Sequence, residues 1–494
     1  MEEKLDALKG LRILVVGLGR EGIALTRFLA ENGLPVAATD LRSAAELGAD
    51  VVSLQAAGVS LTLGQHPESL LDNADILFVS PGVPLEVPFL AAARARAIPL
   101  TTETRLFCHL CPATIVAITG SSGKTTTTTL VGQMLEASGK KTWVGGNIGR
   151  PLISVVDQIA PEDVVVMELS SFQLEYFHTR LNNAVNIKQL PAANPAQLAQ
   201  LLGNWSPPIA ALLNITPNHL DRHPSMKHYV AAKRALLDYQ PPGGVIVAGL
   251  DNDMARTIGR QFGAKTRWFS LEAQIPGGAG LAAGGKQLAF VAEDGALQPI
   301  ANTADIKLRG QHNLLNILAA CLLCREVGAS LEAMQQVATT FAGVDHRLQP
   351  AGEHNGVRYF NDSISTTPER LIAALRSFTE PVVLLAGGRD KHLPWDDAAR
   401  LMLLSARHVV LFGEAAPIIQ ESITRMRRET ASGLQVHRCV NMEEALRQAA
   451  GLAQPGSVVL LSPGCASFDE FSSYVARGRR FVELVQMLEV GSKE

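Results

Sequence analysis

Along its first hundred residues the chain repeats one rhythm: a short apolar run, then a longer stretch whose apolar positions recur at helical spacing. Arg12 to Val16, Pro35 to Thr39, Ile76 to Ser80 and Ile98 to Thr101 read as strands. Strands alternating with amphipathic helices predict a parallel sheet with helices on its faces. A second α/β stretch opens near Cys111, with Ile115 to Ile118, Val164 to Glu168 and Ala210 to Thr216 as strands. The rhythm restarts near Val344, where Val357 to Phe360, Val382 to Ala386, His408 to Phe412 and Ser457 to Leu461 are the expected strands. Residues 182–208, rich in Asn, Gln, Ala and Pro, read as an irregular insertion with one short helix, and Pro276 to Gly285 as a hairpin loop. The expectation is three α/β domains: a Rossmann-like domain over 1–104, a central domain with a mainly parallel sheet over 105–343, and a second Rossmann-like domain over 344–494.

The ends of these strands carry the chemistry. After Ile115-Val116-Ala117-Ile118 comes Thr119-Gly120-Ser121-Ser122-Gly123-Lys124-Thr125-Thr126. Glycines that free backbone N–H groups, a lysine for the β/γ-phosphates and a hydroxyl placed for Mg²⁺ make a P-loop-type nucleotide site. It is a variant, because Ile118 stands where the usual first glycine would be. Glu168 ends an apolar strand, a position from which a carboxylate beside a phosphate loop can hold Mg²⁺ directly or through water. In the first domain Gly17-Leu18-Gly19-Arg20-Glu21-Gly22 is G-x-G-x-x-G, with Asp40 at the end of the next strand. That geometry suits NAD or any other pyrophosphate-linked nucleotide.

Composition narrows the class. The 494 residues are 47% hydrophobic and 18% charged with a formal net charge of −3, which fits a compact multidomain protein and argues against nucleic acid as a partner. The acidic start Met1-Glu2-Glu3-Lys4 lacks the features of a secretion signal, and no apolar window reaches the length of a membrane span, so a cytoplasmic protein without membrane insertion is expected. Of the six cysteines, Cys108 and Cys111, and Cys321 and Cys324, are spaced C-x-x-C, but Cys321 and Cys324 lie in an apolar run that reads as a buried helix, and neither pair has the glycine turns of a zinc knuckle.

GSSGKTT, GGNIG, ELSSFQL, NITPNHLDRH, GQHNLLN, DHR, NDS, AGGRDK and LLSPGCASFDEF, in this order, closely resemble the Mur ligases of peptidoglycan synthesis over almost the whole chain. The glycine fingerprint, ELSSFQL and SPGCASFDEF are most similar to the members that join D-glutamate to UDP-N-acetylmuramoyl-L-alanine. The resemblance implies that ATP converts a carboxylate into an acyl phosphate, which the amine of the incoming amino acid attacks. It places Lys124 on the γ-phosphate, within a loop of Gly120, Ser121, Ser122, Gly123, Thr125 and Thr126 that cradles the phosphates. Thr125 and Glu168 would hold a first Mg²⁺ and His219 a second, helped by Lys233 as a carbamate. Asn313, Asn316, His346, Arg347 and Asp362 match ATP contacts, and Gly17, Asp40, Arg42, Gly82, Asn147 and His219 match the UDP-substrate site. Thr366, Lys391, Ser467 and Tyr474 match positions that receive glutamate. The enzyme is expected to act as a monomer.

Some positions depart from the family pattern. Ile364 stands where these enzymes commonly carry lysine, which leaves the amino acid's identity and chirality open, L-glutamate included. Glu21 and Leu41 stand where threonine is familiar, Asn218 replaces an aspartate and Tyr474 a phenylalanine. From the residues alone, an NAD-dependent oxidoreductase using the first glycine loop is an alternative that leaves Lys124, Glu168 and His219 without a task. A nucleotide-gated regulatory protein is another.

Overall fold

A computed structural model describes residues 1–178, 182, 184–218, 222–390, 393–428 and 432–490. The chain falls into two compact units, one of Met1–Ile306 with Gln311–Thr340 and one of Lys307–Gly310 with Phe341–Glu494. The first unit holds two sheets. In its N-terminal sheet, β1 (Ile13–Val16), β2 (Val36–Asp40), β3 (Ser60–Leu63), β4 (Ile76–Val79) and β5 (Leu100–Thr101) are parallel in the order β3-β2-β1-β4-β5. Strand order reverses between β1 and β4, so the loops leaving them flank a crevice where ligands of such sheets bind.

The central sheet comprises β6 (Thr114–Thr119), β7 (Thr142–Gly146), β8 (Val164–Glu168), β9 (Ile209–Leu212), β10 (Val245–Gly249), β11 (Thr266–Ser270), β12 (Ala279–Ala282), β13 (Gln287–Val291) and β14 (Leu297–Asn302). Its order is β14-β13-β12-β11-β10-β9-β6-β8-β7, parallel from β7 to β12 and antiparallel beyond. The glycine-rich segment expected as a hairpin loop in fact contains β12: Gly280 lets the backbone pass Ala273 and Ser270, whose carbonyl oxygens would stand 3.0 and 3.2 Å from a Cβ there. β9 ends at Leu212, earlier than the apolar run suggests. The helix Gln311–Glu326 buries every residue from Asn316 to Cys324, because it is covered by the helix Lys124–Ala137 and by β10 and β11. Cys321 and Cys324 are part of that apolar packing.

The second unit has a six-stranded sheet of β15 (Gln349–His354), β16 (Val357–Asn361), β17 (Val382–Gly387), β18 (Ala406–Phe412), β19 (Gln435–Arg438) and β20 (Val458–Gly464), in the order β15-β16-β20-β17-β18-β19. Only β15 runs antiparallel to its neighbour. Among the described residues no helix is long and apolar enough to cross a membrane.

The 182–208 insertion is tied into the first unit. It contains the expected helix, Pro195–Leu202, whose start is capped by Asn194 accepting from Gln197 N–H. Its far end is held by Arg105, a fully buried guanidinium that donates to Leu201 O and Gly203 O at 2.9 Å and lies over the rings of Phe177 and Trp205. Burial pushes Arg105 down to about 10. Arg105→Ala would leave these carbonyls unpaired above a cavity, a loss of about 3–5 kcal/mol. Denaturant unfolding should show a correspondingly earlier transition. On the opposite side of the insertion, Asn182 uses its carboxamide to accept from Leu100 N–H at 2.9 Å and donate to Leu100 O at 3.0 Å.

Candidate active site

β6 runs directly into the glycine loop, and the helix Lys124–Ala137 opens its first turn of N–H groups toward it, the end of a helix that favours anions. Gly123 adopts φ +82°, and a Cβ there would lie 2.3 Å from Asn316 Oδ1, so a side chain is excluded both by strain and by space. Asn316 accepts from the Thr127 hydroxyl at 3.4 Å and donates to Asn313 Oδ1 at 3.0 Å, so both predicted asparagines are brought to the loop. The N–H groups of Ser121 and Ser122 are taken up by Asn214, through its carbonyl and its side chain, each at 2.9 Å. The backbone donors left for a phosphate therefore begin at Gly123, the residue that opens the helix. Lys124 Nζ folds back onto Gly120 O at 3.0 Å, and Thr126 is buried in the first turn.

Glu168 ends β8 beside this loop and is 2% exposed. Its carboxylate accepts from the Thr125 hydroxyl and from Asn147 Nδ2, both at 2.8 Å, and among the described residues neither oxygen is in an ion pair. A buried carboxylate held only by neutral donors, next to a hydroxyl, is an oxygen set that suits a hard divalent cation. Lys233, 2% exposed, donates to Gly120 O at 2.9 Å and Thr119 Oγ1 at 3.2 Å and lies over the Tyr229 ring. Burial, reinforced by the charge of Lys124, pushes Lys233 well below the ordinary lysine range. The predicted His219 lies outside the described residues.

A cavity of about 560 Å³ runs from the β1/β4 switch point to Asn147, the residue that donates to this carboxylate. Gly17, Gly19, Arg20, Asp40, Arg42, Ser80 and Gly82 line one end, and Asn147, Ser170, Phe172 and Arg222 the other. Gly17, at φ +90°, accepts through its carbonyl from Ser80 Oγ at 2.5 Å, and a Cβ on Gly22 would stand 2.0 Å from that carbonyl. Both Asp40 oxygens are engaged: Oδ2 takes Leu18 N–H at 2.6 Å and Arg42 Nη2 at 2.9 Å, and Oδ1 takes Arg42 N–H at 2.8 Å. Burial works against the Asp40 anion, but these donors outweigh it and hold the carboxyl below its ordinary range. Behind the cavity Gln173 donates to Glu21 Oε1 at 3.0 Å and Thr104 Oγ1 at 3.2 Å while accepting from Ser170, linking the glycine loop to the segment after Glu168. Burial pushes the carboxyls of Glu21 and the nearby Glu103 upward.

In the second unit the expected residues gather at the carboxyl ends of β16 and β20. Asp362 accepts from the Ser462 hydroxyl at 2.8 Å and Leu348 N–H at 3.2 Å, and burial pushes it up to about 6. His346, at φ +63°, meets Asn361 Nδ2 at 3.0 Å and packs edge-on to Tyr474. Arg347 follows in the same turn, its N–H bonded to Val344 O at 3.0 Å. Ser467 is buried, Tyr474 opens the helix Tyr474–Val490 at 37% exposure, and Thr366 N–H binds Ile364 O at 2.9 Å. Arg477, fully buried, fixes the two loops to each other by donating to Ser363 O, Ser363 Oγ, Cys465 O and Ala466 O. Lys391 lies outside the described residues.

The chain matches three family models: the N-terminal domain of MurD-like Mur ligases over 11–102, the Mur ligase middle domain over 118–189 and 192–324, and the Mur ligase glutamate ligase domain over 346–465. It is 39% identical to the UDP-N-acetylmuramoylalanine--D-glutamate ligase of Symbiobacterium thermophilum, over 97% of this chain and 98% of that one. Identity to the Clostridium novyi enzyme of the same name is 37%, over 98% of each. The chain belongs to the Mur ligase family. It is thus an ATP-dependent ligase of peptidoglycan synthesis, built on the three-domain Mur ligase fold. Solved structures agree on the fold: UDP-N-acetylmuramate-alanine ligase of Thermotoga maritima superposes with a TM-score of 0.56 at 17% identity, covering 97% of this chain and 99% of that one. A pseudomurein peptide ligase of Methanothermus fervidus gives 0.52 at 16%, covering 97% and 100%.

Several residues of this Mur ligase site escape sequence reasoning. Arg20 reaches Asn147 O at 3.5 Å, and Arg222 lies 4.5 Å over the Phe172 ring while donating to Pro81 O and Gly82 O at 3.4 Å. Tyr229 bonds the Ser121 hydroxyl at 2.8 Å, and buried His223 stacks on Phe172 and bonds Ser171 Oγ at 2.9 Å. Of these, Arg20 falls within the quoted glycine fingerprint and Arg222 and His223 within NITPNHLDRH, and nothing in those motifs marks their contacts.

Proposed function

We propose that this ligase joins D-glutamate to UDP-N-acetylmuramoyl-L-alanine through an acyl phosphate. One observation carries the reading: the cavity that starts at the nucleotide crevice of the first sheet ends at Asn147, whose amide holds Glu168 beside the phosphate loop. A substrate with a nucleotide at one end and a reacting carboxylate at the other fits that path. The glycine loop of Gly17, with Asp40, Arg42 and Gly82, receives the uridine diphosphate, and Asn147 and His219 orient the muramoyl end. Lys124 and the first helical turn neutralise the transferring phosphoryl group, whose charge is spread over its outer oxygens. Thr125, Glu168, His219 and carbamylated Lys233 would hold two Mg²⁺ ions, which supply further charge stabilisation at the phosphoryl group when bound. Asn313, Asn316, His346, Arg347 and Asp362 hold ATP. Lys391, Thr366, Ser467 and Tyr474 receive glutamate, whose two carboxylates call for cations and hydroxyl donors. Domain boundaries at 104/105 and 343/344, a monomeric state and a cytoplasmic location complete the reading.

The test is phosphate release from ATP with UDP-N-acetylmuramoyl-L-alanine and D-glutamate, L-glutamate or no amino acid, with product masses measured. Release and a glutamyl adduct with D-glutamate alone is the expected result. An adduct with L-glutamate instead would move the specificity, and no release with either would overturn the substrate assignment.

A further inference from the structure

Beside the loops assigned to glutamate stands a cation that lies outside every quoted motif. Ile364 is uncharged, yet its carbonyl oxygen is the meeting point of two donors: Thr366 N–H at 2.9 Å and Arg370 Nη1 at 3.1 Å. The Arg370 guanidinium is thereby held beside Thr366, at the carboxyl-end loops of the sheet. Arg370 belongs to the helix Pro368–Leu375, is exposed, and makes no ion pair among the described residues. One of its five N–H donors is used on a carbonyl, which leaves a fork suited to a carboxylate and a charge that no anion among the described residues pairs with.

The anchor is rigid. Buried Arg477 binds both the carbonyl and the hydroxyl of Ser363, the residue before Ile364, at 3.0 Å each. Asp362, the nearest carboxyl in the loop, points inward to Ser462 and Leu348 N–H and does not compete for Arg370.

We propose that Arg370 receives a carboxylate of the incoming amino acid and is a determinant of specificity for an acidic one. This rests on the glutamate reading above. Phosphate release and adduct formation with UDP-N-acetylmuramoyl-L-alanine, ATP and varied D-glutamate test it. Arg370→Ala should raise KM for D-glutamate about 20-fold or more, the scale of one lost charge-assisted hydrogen bond, with little change in KM for ATP or the UDP-substrate. Arg370→Lys should recover part of the loss, because the charge returns without the fork. The decisive variant is Ile364→Lys in the Arg370→Ala background, which puts a cation back on the same loop and should lower the glutamate KM again. A glutamate KM in Arg370→Ala within threefold of the parent would overturn the inference alone. So would a uniform fall in kcat unrelieved by either lysine, which marks a structural role. A parent that forms no glutamyl adduct would overturn the substrate reading and this inference together.

Discussion

Lys124→Ala is expected to lower kcat for phosphate release by about 10³-fold, the largest effect of any substitution in the first unit. Its ammonium lies on Gly120 O, at the start of the glycine loop. Catalysis of phosphoryl transfer is mainly positioning and charge neutralisation, and alanine removes the charge that the glycine loop is built around. Binding of UDP-N-acetylmuramoyl-L-alanine, measured by calorimetry without ATP, should persist, because Lys124 does not line the 560 Å³ cavity. Turnover within tenfold of the parent would remove Lys124 from the mechanism.

Lys233→Ala should cost activity on a similar scale, about 10²–10³-fold, and for a different reason. An amine that is buried, close to Lys124 and pushed well below the ordinary lysine range holds a neutral fraction at a lower pH than a surface lysine does. The neutral amine is the form that attacks carbon dioxide, and the resulting carbamate turns a cation into an oxygen ligand. The sign follows: raising pH or bicarbonate favours the carbamate, and depleting carbon dioxide should lower the parent's activity reversibly. Small carboxylic acids should restore part of the activity of Lys233→Ala. A carbamate carbon resonance after ¹³C-bicarbonate addition, absent in the variant, would be the direct observation. Full activity of Lys233→Ala without additives would sink the role.

The parallel strands were legible because doubly covered strands are continuous apolar runs, as in Ile115 to Ile118 or Val382 to Ala386. β3 was missed because Ser60-Leu61-Thr62-Leu63 is short, half polar and at a sheet edge. β12 is hidden from sequence reading because Ala279 and Gly280 look like turn residues, although its partners β11 and β13 pull it into the sheet. Within the site, residues adjacent in sequence to a strand end could be read from motifs: Lys124, Thr125, Glu168 and Asp40. Arg20, Gln173 and Tyr229 act through contacts that span tens of residues or more, and local spacing holds no trace of those. Arg370 lies outside every quoted motif, and its partner is a backbone carbonyl, which the sequence cannot name.

The carboxamide of Asn182 has a consequence outside catalysis. β5 is the outermost strand on its side of the first sheet, and an outermost strand offers unpaired backbone groups on which another chain can grow. Asn182 fills both the N–H and the C=O of Leu100, so the sheet meets its own chain where it would otherwise meet a stranger. The start of the insertion thus occupies at Leu100 the two backbone groups that an outer strand would otherwise leave open.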